Sequence, residues 1–364
     1  MDLRKAKNDI EREMEALRSK IEILEASHSG FVVVQAQRDG ARSASVEGSN
    51  PQAEVSKGEK KEKNMKVVSI INYKGGVGKT TITSNIATYA ASKGKRVLMI
   101  DLDPQTNLTL SFMTNEKWIE SYAEEKTLRN FFCPILNGTG PTTPLSSLVI
   151  PLKIEDVDLS LISSHLELIS VDTDLAMCLG GGNEQILKYN FLTVHNYLRN
   201  AIRTLEGDYD MVLIDCPPSF NTVVKNALTA SDFYLVPAKM DYLSTLGIEQ
   251  LHRNSNLYVE KHNQFVEEVG KPFTNIFPKT LGVVPTMLSL YGRSPIASNQ
   301  LYLGQVAQRG YHLFPGLREN TNIYAPAPND GIPVYLTHSA SSALPGIIAE
   351  IADLSEEFIA KAGL

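Results

Sequence analysis

The sequence predicts an α/β protein built on a doubly wound, mostly parallel sheet flanked by helices. Three apolar runs, Val67–Asn72, Arg96–Ile100 and Tyr209–Ile214, are typical of buried parallel strands. Each run is followed by glycines or carboxylates, and the carboxyl ends of parallel strands meet at one edge of a sheet. A chain of 364 residues is long enough for one large domain of this kind with an N-terminal appendage.

The composition is that of an ordinary soluble protein, with 43% hydrophobic and 21% charged residues. The net charge of −6 excludes a global basic field, so any nucleic-acid surface must be local. The three cysteines, Cys133, Cys178 and Cys216, lack metal-ligand spacing, and their odd number fits a reducing cytoplasm. No apolar run approaches bilayer length, so no membrane span is expected.

The N-terminal region divides into two segments that precede the main domain, residues 65–364. Residues 1–28 predict an amphipathic helix whose apolar residues form a coiled-coil seam of about three heptads. So short a seam is marginal alone, which leaves open a dimer or partner contact, or packing on its own domain. Residues 29–64 are rich in Ser, Gly, Gln, Glu and Lys, and predict a flexible linker.

A glycine-rich segment at residues 73–81 follows the first apolar run and precedes a predicted helix from Lys79 to about Ser92. Strand, glycine loop and helix form the context of a phosphate-binding loop. Glycines allow successive backbone N–H groups to face phosphate oxygens, and the helix N-terminus adds partial positive charge. Lys79 is expected to reach the β- and γ-phosphates, and the Thr80 hydroxyl to bind Mg²⁺. The expected nucleotide contacts of the loop are Lys74, Gly75, Gly76, Val77, Gly78, Lys79, Thr80 and Thr81.

The loop departs from the ordinary pattern at two positions, because Tyr73 stands where a glycine is usual and Lys74 adds a second lysine. Its KGGVGKTT, together with D-x-D-P-Q from Asp101 and D-x-P-P-S from Asp215, resembles the ParA/MinD (Soj-like) family of deviant Walker A partition ATPases. The resemblance extends from residue 66 to about residue 360 and implies a nucleotide-driven switch that slowly hydrolyses ATP with Mg²⁺.

The resemblance also implies roles for individual residues. Lys74 would reach across an ATP-induced homodimer to the partner's phosphates and act in catalysis with Lys79. Asp103 would position and activate the attacking water, and Asp101 would lie nearer the metal. Asp215 would hold Mg²⁺ through water, complementing Thr80.

For the cell, the resemblance implies plasmid or chromosome partition by a cytoplasmic, nucleoid-associated protein, with a ParB-like partner that stimulates hydrolysis. An alternative keeps the switch and changes the cargo to a protein complex or organelle. An iron–sulfur ATPase would need paired cluster-ligating cysteines, and a bacterial tyrosine kinase a C-terminal tyrosine cluster, which this sequence lacks.

No Asp or Glu occurs from Lys271 to Arg318, a local charge reversal in an acidic protein. The resemblance implies non-specific DNA binding by Arg293 and Arg318; the alternative is a scattered solvated face. The family's I-P-R corresponds to Gly316-Leu317-Arg318, so Leu317 and Arg318 are also assigned to the nucleotide.

Three remaining segments have weaker signals. Pro345–Ala360 predicts an amphipathic helix whose acidic polar face argues against membrane targeting and for docking on its own sheet. Residues 115–156 predict a helix and long loops at the rim of the sheet. The three glycines at residues 180–182 predict a flexible loop without phosphate-binding function.

Overall fold

A computed structural model describes residues 65–136, 143–292, 294–326 and 330–364. The predictions for residues 1–28 and 29–64, and those for Arg293, lie outside the described residues. None of the helices in the described part of the chain is long and apolar enough to span a membrane.

A seven-stranded sheet forms the centre of the domain, in the order β3-β4-β2-β5-β1-β6-β7. All neighbouring strands are parallel except β3 and β4, which confirms the predicted fold class. The strands are β1 (Lys66–Ile70), β2 (Val97–Asp101), β3 (Ile150–Ile154), β4 (Val157–Ile162), β5 (Met211–Asp215), β6 (Phe233–Lys239) and β7 (Lys279–Thr286), with a small hairpin of β8 (Leu290–Tyr291) and β9 (Ser294–Pro295).

Helices flank this sheet. They are α1 (Lys79–Ser92), α2 (Asn107–Leu110), α3 (Asn115–Ser121), α4 (Leu128–Leu136), α5 (Leu168–Met177), α6 (Glu184–His195), α7 (Tyr197–Arg203), α8 (Thr222–Ala230), α9 (Tyr242–Val269), α10 (Ala297–Gln308), α11 (Thr321–Tyr324) and α12 (Leu344–Ala362). Two short 3₁₀ helices are Leu145–Leu148 and Val334–Leu336.

The strand register places the three predicted motifs side by side. In the parallel ladder, Ile70 of β1 and Asp101 of β2 both lie opposite Asp215 of β5. The loop that follows β1 and the aspartates that end β2 and β5 therefore meet at the carboxyl edge of the sheet, as doubly wound folds require.

The C-terminal helix α12, which was predicted to dock on its own sheet, packs mainly on α1 and also contacts strand β7 of the sheet. Ile347, Ile351 and Phe358 of α12 are buried in the same core as Ile82 and Ile86 of α1. The Tyr89 hydroxyl of α1 also donates a hydrogen bond to Glu356 of α12. The apolar stripe of α12 is thus covered by its own domain.

The prediction of a helix and long loops for residues 115–156 holds for the helix and misses a second helix and a strand. This stretch contains α3 and α4 and ends in β3, the antiparallel edge strand. Burial alternates along β3, with Ile150 and Leu152 inside and Pro151 and Lys153 outside. A proline is tolerated there because an edge strand leaves one row of N–H groups unpaired.

Candidate functional site

The glycine loop adopts the curled backbone that its sequence predicts. Gly76 and Gly78 have φ values of 66° and 84°, in the left-handed region that side chains with a Cβ rarely adopt. Gly78 is the N-cap of α1, so the loop passes directly into the positive end of the helix. The Thr286 hydroxyl of β7 donates to the Val77 carbonyl at 3.0 Å and holds the loop against the sheet.

Lys79 folds back beneath the loop. Its Nζ lies 3.3 Å from the carbonyl oxygens of both Asn72 and Lys74, and the residue is only 7% exposed. Burial lowers the pKa of Lys79, and the Asp215 carboxylate opposes this shift. A buried ammonium held only by neutral carbonyls has donor capacity left for an anion that enters the loop.

Thr80 and Asp215 form the second element of the site. The Thr80 hydroxyl donates to Asp215 Oδ2 at 2.6 Å, and the Thr83 hydroxyl donates to Oδ1 at 3.3 Å. Burial raises the pKa of Asp215 to about 7, although both hydroxyls and Lys79 act in the opposite direction. A neighbouring hydroxyl and carboxylate are the hard oxygen donors that Mg²⁺ prefers.

The described residues contain no cluster of three or more His, Cys, Asp or Glu able to hold a metal ion. Mg²⁺ is usually bound by one or two protein groups while phosphates and waters complete its shell. Thr80 and Asp215 are the residues that would hold it.

The two aspartates at the end of β2 have different surroundings. Asp101 is fully buried, and its Oδ2 accepts the backbone N–H and the hydroxyl of Thr109 at 2.9 and 2.7 Å. Burial and the nearby Asp215 raise the pKa of Asp101 well above its usual range. Asp103 instead lines the cavity at the loop, where its Oδ1 accepts the Gln105 N–H at 3.0 Å. Asp103 is therefore the one of the two that lines the cavity.

Lys74 lies at the rim of the loop. Its Nζ is 2.9 Å from Asp241 Oδ2 and 3.2 Å from the Ser244 hydroxyl, and its side chain is 42% exposed. Asp241 also caps α9, since its Oδ1 accepts the Ser244 N–H at 2.8 Å. Burial alone would raise the pKa of Asp241, but the hydrogen bonds from Lys74 and Ser244 outweigh it and lower the pKa.

Tyr73 occupies the loop position at which a glycine is usual, and its side chain has specific contacts there. Its hydroxyl accepts a hydrogen bond from Asn254 of α9 at 2.6 Å, and its ring packs edge-on against Phe220. Two consecutive loop residues, Tyr73 and Lys74, are therefore both tied to α9. Sequence reasoning missed Asp241 and Asn254 as contacts of the loop, since neither belongs to a recognisable motif.

Two cavities adjoin the loop. The first, of about 460 Å³, extends from the glycines to Asp103 and Pro218. The second, of about 260 Å³, is lined by Thr81, Leu317 and Arg318, so the structure brings both of these predicted residues beside α1. The guanidinium of Arg318 is bound to Glu350, with Nε 2.7 Å from Oε1, which neutralises much of its charge locally.

Comparison with known proteins gives three results. The family model described as an AAA domain matches residues 65–267. The sporulation initiation inhibitor protein Soj of Bacillus subtilis is 28% identical over 270 residues, which cover 68% of this chain and 95% of Soj. The chromosome partitioning protein ParA of Caulobacter vibrioides is 29% identical over 274 residues, covering 75% of this chain and 87% of that protein.

The fold is also found among solved structures. A variant of McdA from Cyanothece, in complex with ATP, superimposes with a TM-score of 0.60 at 21% identity. The match covers 82% of this chain and 97% of the McdA chain.

Proposed function

The chain belongs to the ParA/MinD family of P-loop ATPases, and from this premise we propose that it is an ATP-driven dimerising switch that partitions a plasmid or chromosome. In this proposal ATP closes a homodimer, the dimer binds DNA without sequence preference, and a ParB-like partner stimulates hydrolysis to release it. ATP can drive the switch because it binds the closed dimer more tightly than the single chain.

One observation carries the proposal: the two lysines of the loop, five positions apart, have separate environments. Lys79 is buried beneath the loop, where its Nζ contacts the carbonyl oxygens of Asn72 and Lys74, and in the proposal it neutralises the phosphates of its own nucleotide. Lys74 is exposed at the rim, held only by Asp241 and Ser244. A group in that position can leave its own chain and reach a second nucleotide across a dimer.

The chain's own residues supply positioning and charge. Backbone N–H groups of the glycine loop and the Lys79 ammonium neutralise the phosphates, and Asp103 orients a water for attack on the γ-phosphate. Thr80 and Asp215 would hold Mg²⁺, which would supply further charge neutralisation at the phosphates. The loop, Leu317 and Arg318 surround the nucleotide.

Dimerisation requires Lys74 to exchange partners. In the single chain its ammonium is paired with the Asp241 carboxylate. In the dimer it would pair with the partner's phosphates, which carry more negative charge, so ATP favours the exchange. The alternative cargo, a protein complex or organelle, uses the same switch and differs only in the partner.

The DNA contact is proposed for Arg293 and Arg318 in the segment without acidic residues. Arg309 of the same segment is paired with Glu249, and Arg318 with Glu350. Because pairing weakens the attraction of a single chain for phosphate, binding should depend on the two copies of this surface in a dimer.

The proposal is tested by ATPase rates measured with and without duplex DNA, crossed with candidate partner proteins, alongside light scattering for the oligomeric state. We expect slow hydrolysis that rises when DNA and the partner are both present, and a dimer only with ATP. Lys74→Ala should bind ATP and remain monomeric. A dimer that forms equally without nucleotide would contradict the switch, and stimulation by a cargo protein without a DNA-bound partner would favour the alternative.

A further inference from the structure

Another cavity, separate from the two at the glycine loop, lies at the opposite edge of the sheet, where the strands begin. It has a volume of about 440 Å³ and is lined by the first residues of three strands and by α7. It is separate from the glycine loop, because the loop follows the carboxyl end of β1 while Lys66 at the start of β1 lines this cavity. Its volume lies in the range of small-molecule sites, which is roughly 300–1,000 Å³.

Four basic residues converge on this cavity. They are Lys66, Arg199, Arg203 and Lys279. Only two acidic residues, Glu206 and Asp232, line it with them, and one carboxylate oxygen of Asp232 already accepts the Val67 N–H at 2.9 Å. The cavity is therefore positively charged in a chain whose net charge is −6.

These cations lack the ion-pair partners that most arginines in the described residues have. Of the seven arginines in the described residues, Arg96, Arg129, Arg309 and Arg318 are in ion pairs. Arg199 and Arg203 are two of the remaining three. Lys66 and Lys279 likewise form no ion pair within the described ranges.

Arg199 is the fixed centre of the group. Its guanidinium donates to the carbonyls of Thr274 and Asn275 at 3.0 and 3.3 Å, so its position is set by neutral groups. A guanidinium has five N–H donors, and those bonds leave donors for a ligand. Arg203 lies four residues further along α7 and lines the same cavity, and burial, together with its charge, lowers the pKa of Arg199 to about 10.

The cavity also offers apolar surface. Phe277 at its rim is 69% exposed, and the buried Ile202 and Ile276 line its floor. Arg203 ends α7, where the helix dipole favours a cation by about 0.3–1 kcal/mol. That effect accounts for one cation and not for the three others at this cavity, whereas oxyanion recognition by paired guanidinium groups accounts for the cluster.

We propose that this cavity binds a small molecule with one carboxylate or phosphate group on an aromatic or apolar body. The oxyanion contacts Arg199 and Arg203, with Lys66 and Lys279 adding charge, and the body of the ligand packs on Phe277. The site is independent of the ATPase function, since it shares no residue with the glycine loop or its aspartates.

Ligand-observed NMR on the full chain without nucleotide tests the proposal with phenyl phosphate, benzoate, phenol and inorganic phosphate as probes. We expect saturable binding of phenyl phosphate or benzoate, weaker binding of inorganic phosphate and none of phenol. Whichever aromatic anion binds more tightly identifies the oxyanion as phosphate or carboxylate. Binding of phenol as tight as that of the anions would overturn the proposal.

Variants locate the probe. The double change Arg203→Gln/Lys279→Gln should weaken binding about tenfold or more, because two charge-assisted contacts are lost. Arg253→Gln, which removes an unpaired arginine outside the cavity, should bind like the wild type. Lys79→Ala should also bind like the wild type, since a probe that depended on Lys79 would occupy the glycine loop. Undiminished binding by the double variant, or binding of duplex DNA with neither small anion, would refute the site.

Discussion

Two regions of this molecule bury ionisable side chains, and they differ in the partners that surround those side chains. Beneath the glycine loop, Lys79 and Asp215 are buried close to each other, with hydrogen bonds to Thr80 and to backbone carbonyls. In the helix layer formed by α6 and α9, His195 and His262 are buried among aromatic rings. Burial lowers the pKa of His195 to about 3 and that of His262 to about 4, so both are neutral at pH 7.

The difference lies in the partners available. His195 donates from Nδ1 to the Phe191 carbonyl at 2.8 Å, while its Nε2 is buried with no partner in the described structure. A group in those surroundings loses its proton, which removes the cost of a buried charge. Beneath the loop, the hydroxyls of Thr80 and Thr83 and the Lys79 ammonium favour the charged form of Asp215, although burial still raises its pKa to about 7. Buried polarity alone therefore does not mark a site; buried polarity with spare donors does.

Removing the buried ammonium should give the largest effect. Lys79→Ala leaves the β- and γ-phosphates without their cation, and truncating one partner of a buried charge pair costs about 2–5 kcal/mol. ATP affinity should fall by roughly a thousandfold, measured by isothermal titration calorimetry. Lys93→Ala, an exposed lysine at the end of α1, is the matched control and should bind normally. Normal ATP affinity in Lys79→Ala would contradict the role of this ammonium.

Asp103 should affect the chemical step and leave binding intact. Asp103→Ala is expected to bind ATP and dimerise while hydrolysis falls about a hundredfold or more, the usual range for a lost general base. Asp103→Asn retains an acceptor for the Gln105 N–H, so it separates the hydrogen bond from the charge. Equal loss in both variants, measured by phosphate release, supports catalysis by the carboxylate. Wild-type rates in Asp103→Asn would show that only the turn geometry matters.

The helix layer should lose stability in acid. The folded-state pKa values of His195 and His262 lie below the ordinary value of about 6.5, so their neutral forms stabilise the fold above that pH. This stability is lost as pH falls from about 6.5 towards 4, by about 2 kcal/mol for each histidine at pH 5. His195→Phe should therefore lose about 2 kcal/mol less than the wild type between pH 7 and pH 5.

Urea unfolding at the two pH values measures this difference, with His338→Gln as the control. His338 is 87% exposed in its side chain, so replacing it should change the pH dependence little. An unchanged pH dependence in His195→Phe would mean that His195 is not held neutral in the fold.

The sequence predicted those parts of the fold in which local pattern and buried position agree. Helix α1 has the predicted bounds, and β1, β2 and β5 lie within a residue or two of the apolar runs that indicated them. Central parallel strands are buried on both faces, so their sequences are continuously apolar and easy to recognise. The edge strand β3 is short and contains Pro151, so no continuous apolar run marks it in the sequence.

Contacts between distant parts of the chain could not be predicted in the same way. Asp241 is 167 residues from Lys74 and Asn254 is 181 residues from Tyr73. Neither pair can be recognised from residue spacing in the sequence. The partners meet only because β6, which leads into α9, lies beside β1 in the sheet. Likewise the charge of Arg318, at the end of the segment without acidic residues, is paired with Glu350 of α12, which no count within the segment reveals.

The smallest effect concerns α9, which joins the two regions: its first turn holds Lys74, and its middle carries Tyr258 and His262 of the helix layer. Asp241→Asn removes the ion pair with Lys74, yet asparagine is as good an N-cap as aspartate, so α9 should stay intact. Because the pair is partly exposed, its contribution is about 0.2–1 kcal/mol. The ATP-dependent dimer should therefore form at an ATP concentration lower by up to about fivefold, with ATP affinity of the single chain unchanged.

Analytical ultracentrifugation across an ATP series measures this, with Ser244→Ala as the control that keeps the ion pair and loses only the weaker 3.2 Å contact. If Asp241→Asn dimerises at the same or a higher ATP concentration than the wild type, Asp241 does not restrain Lys74 and the exchange of partners at the rim of the loop is not what limits closure.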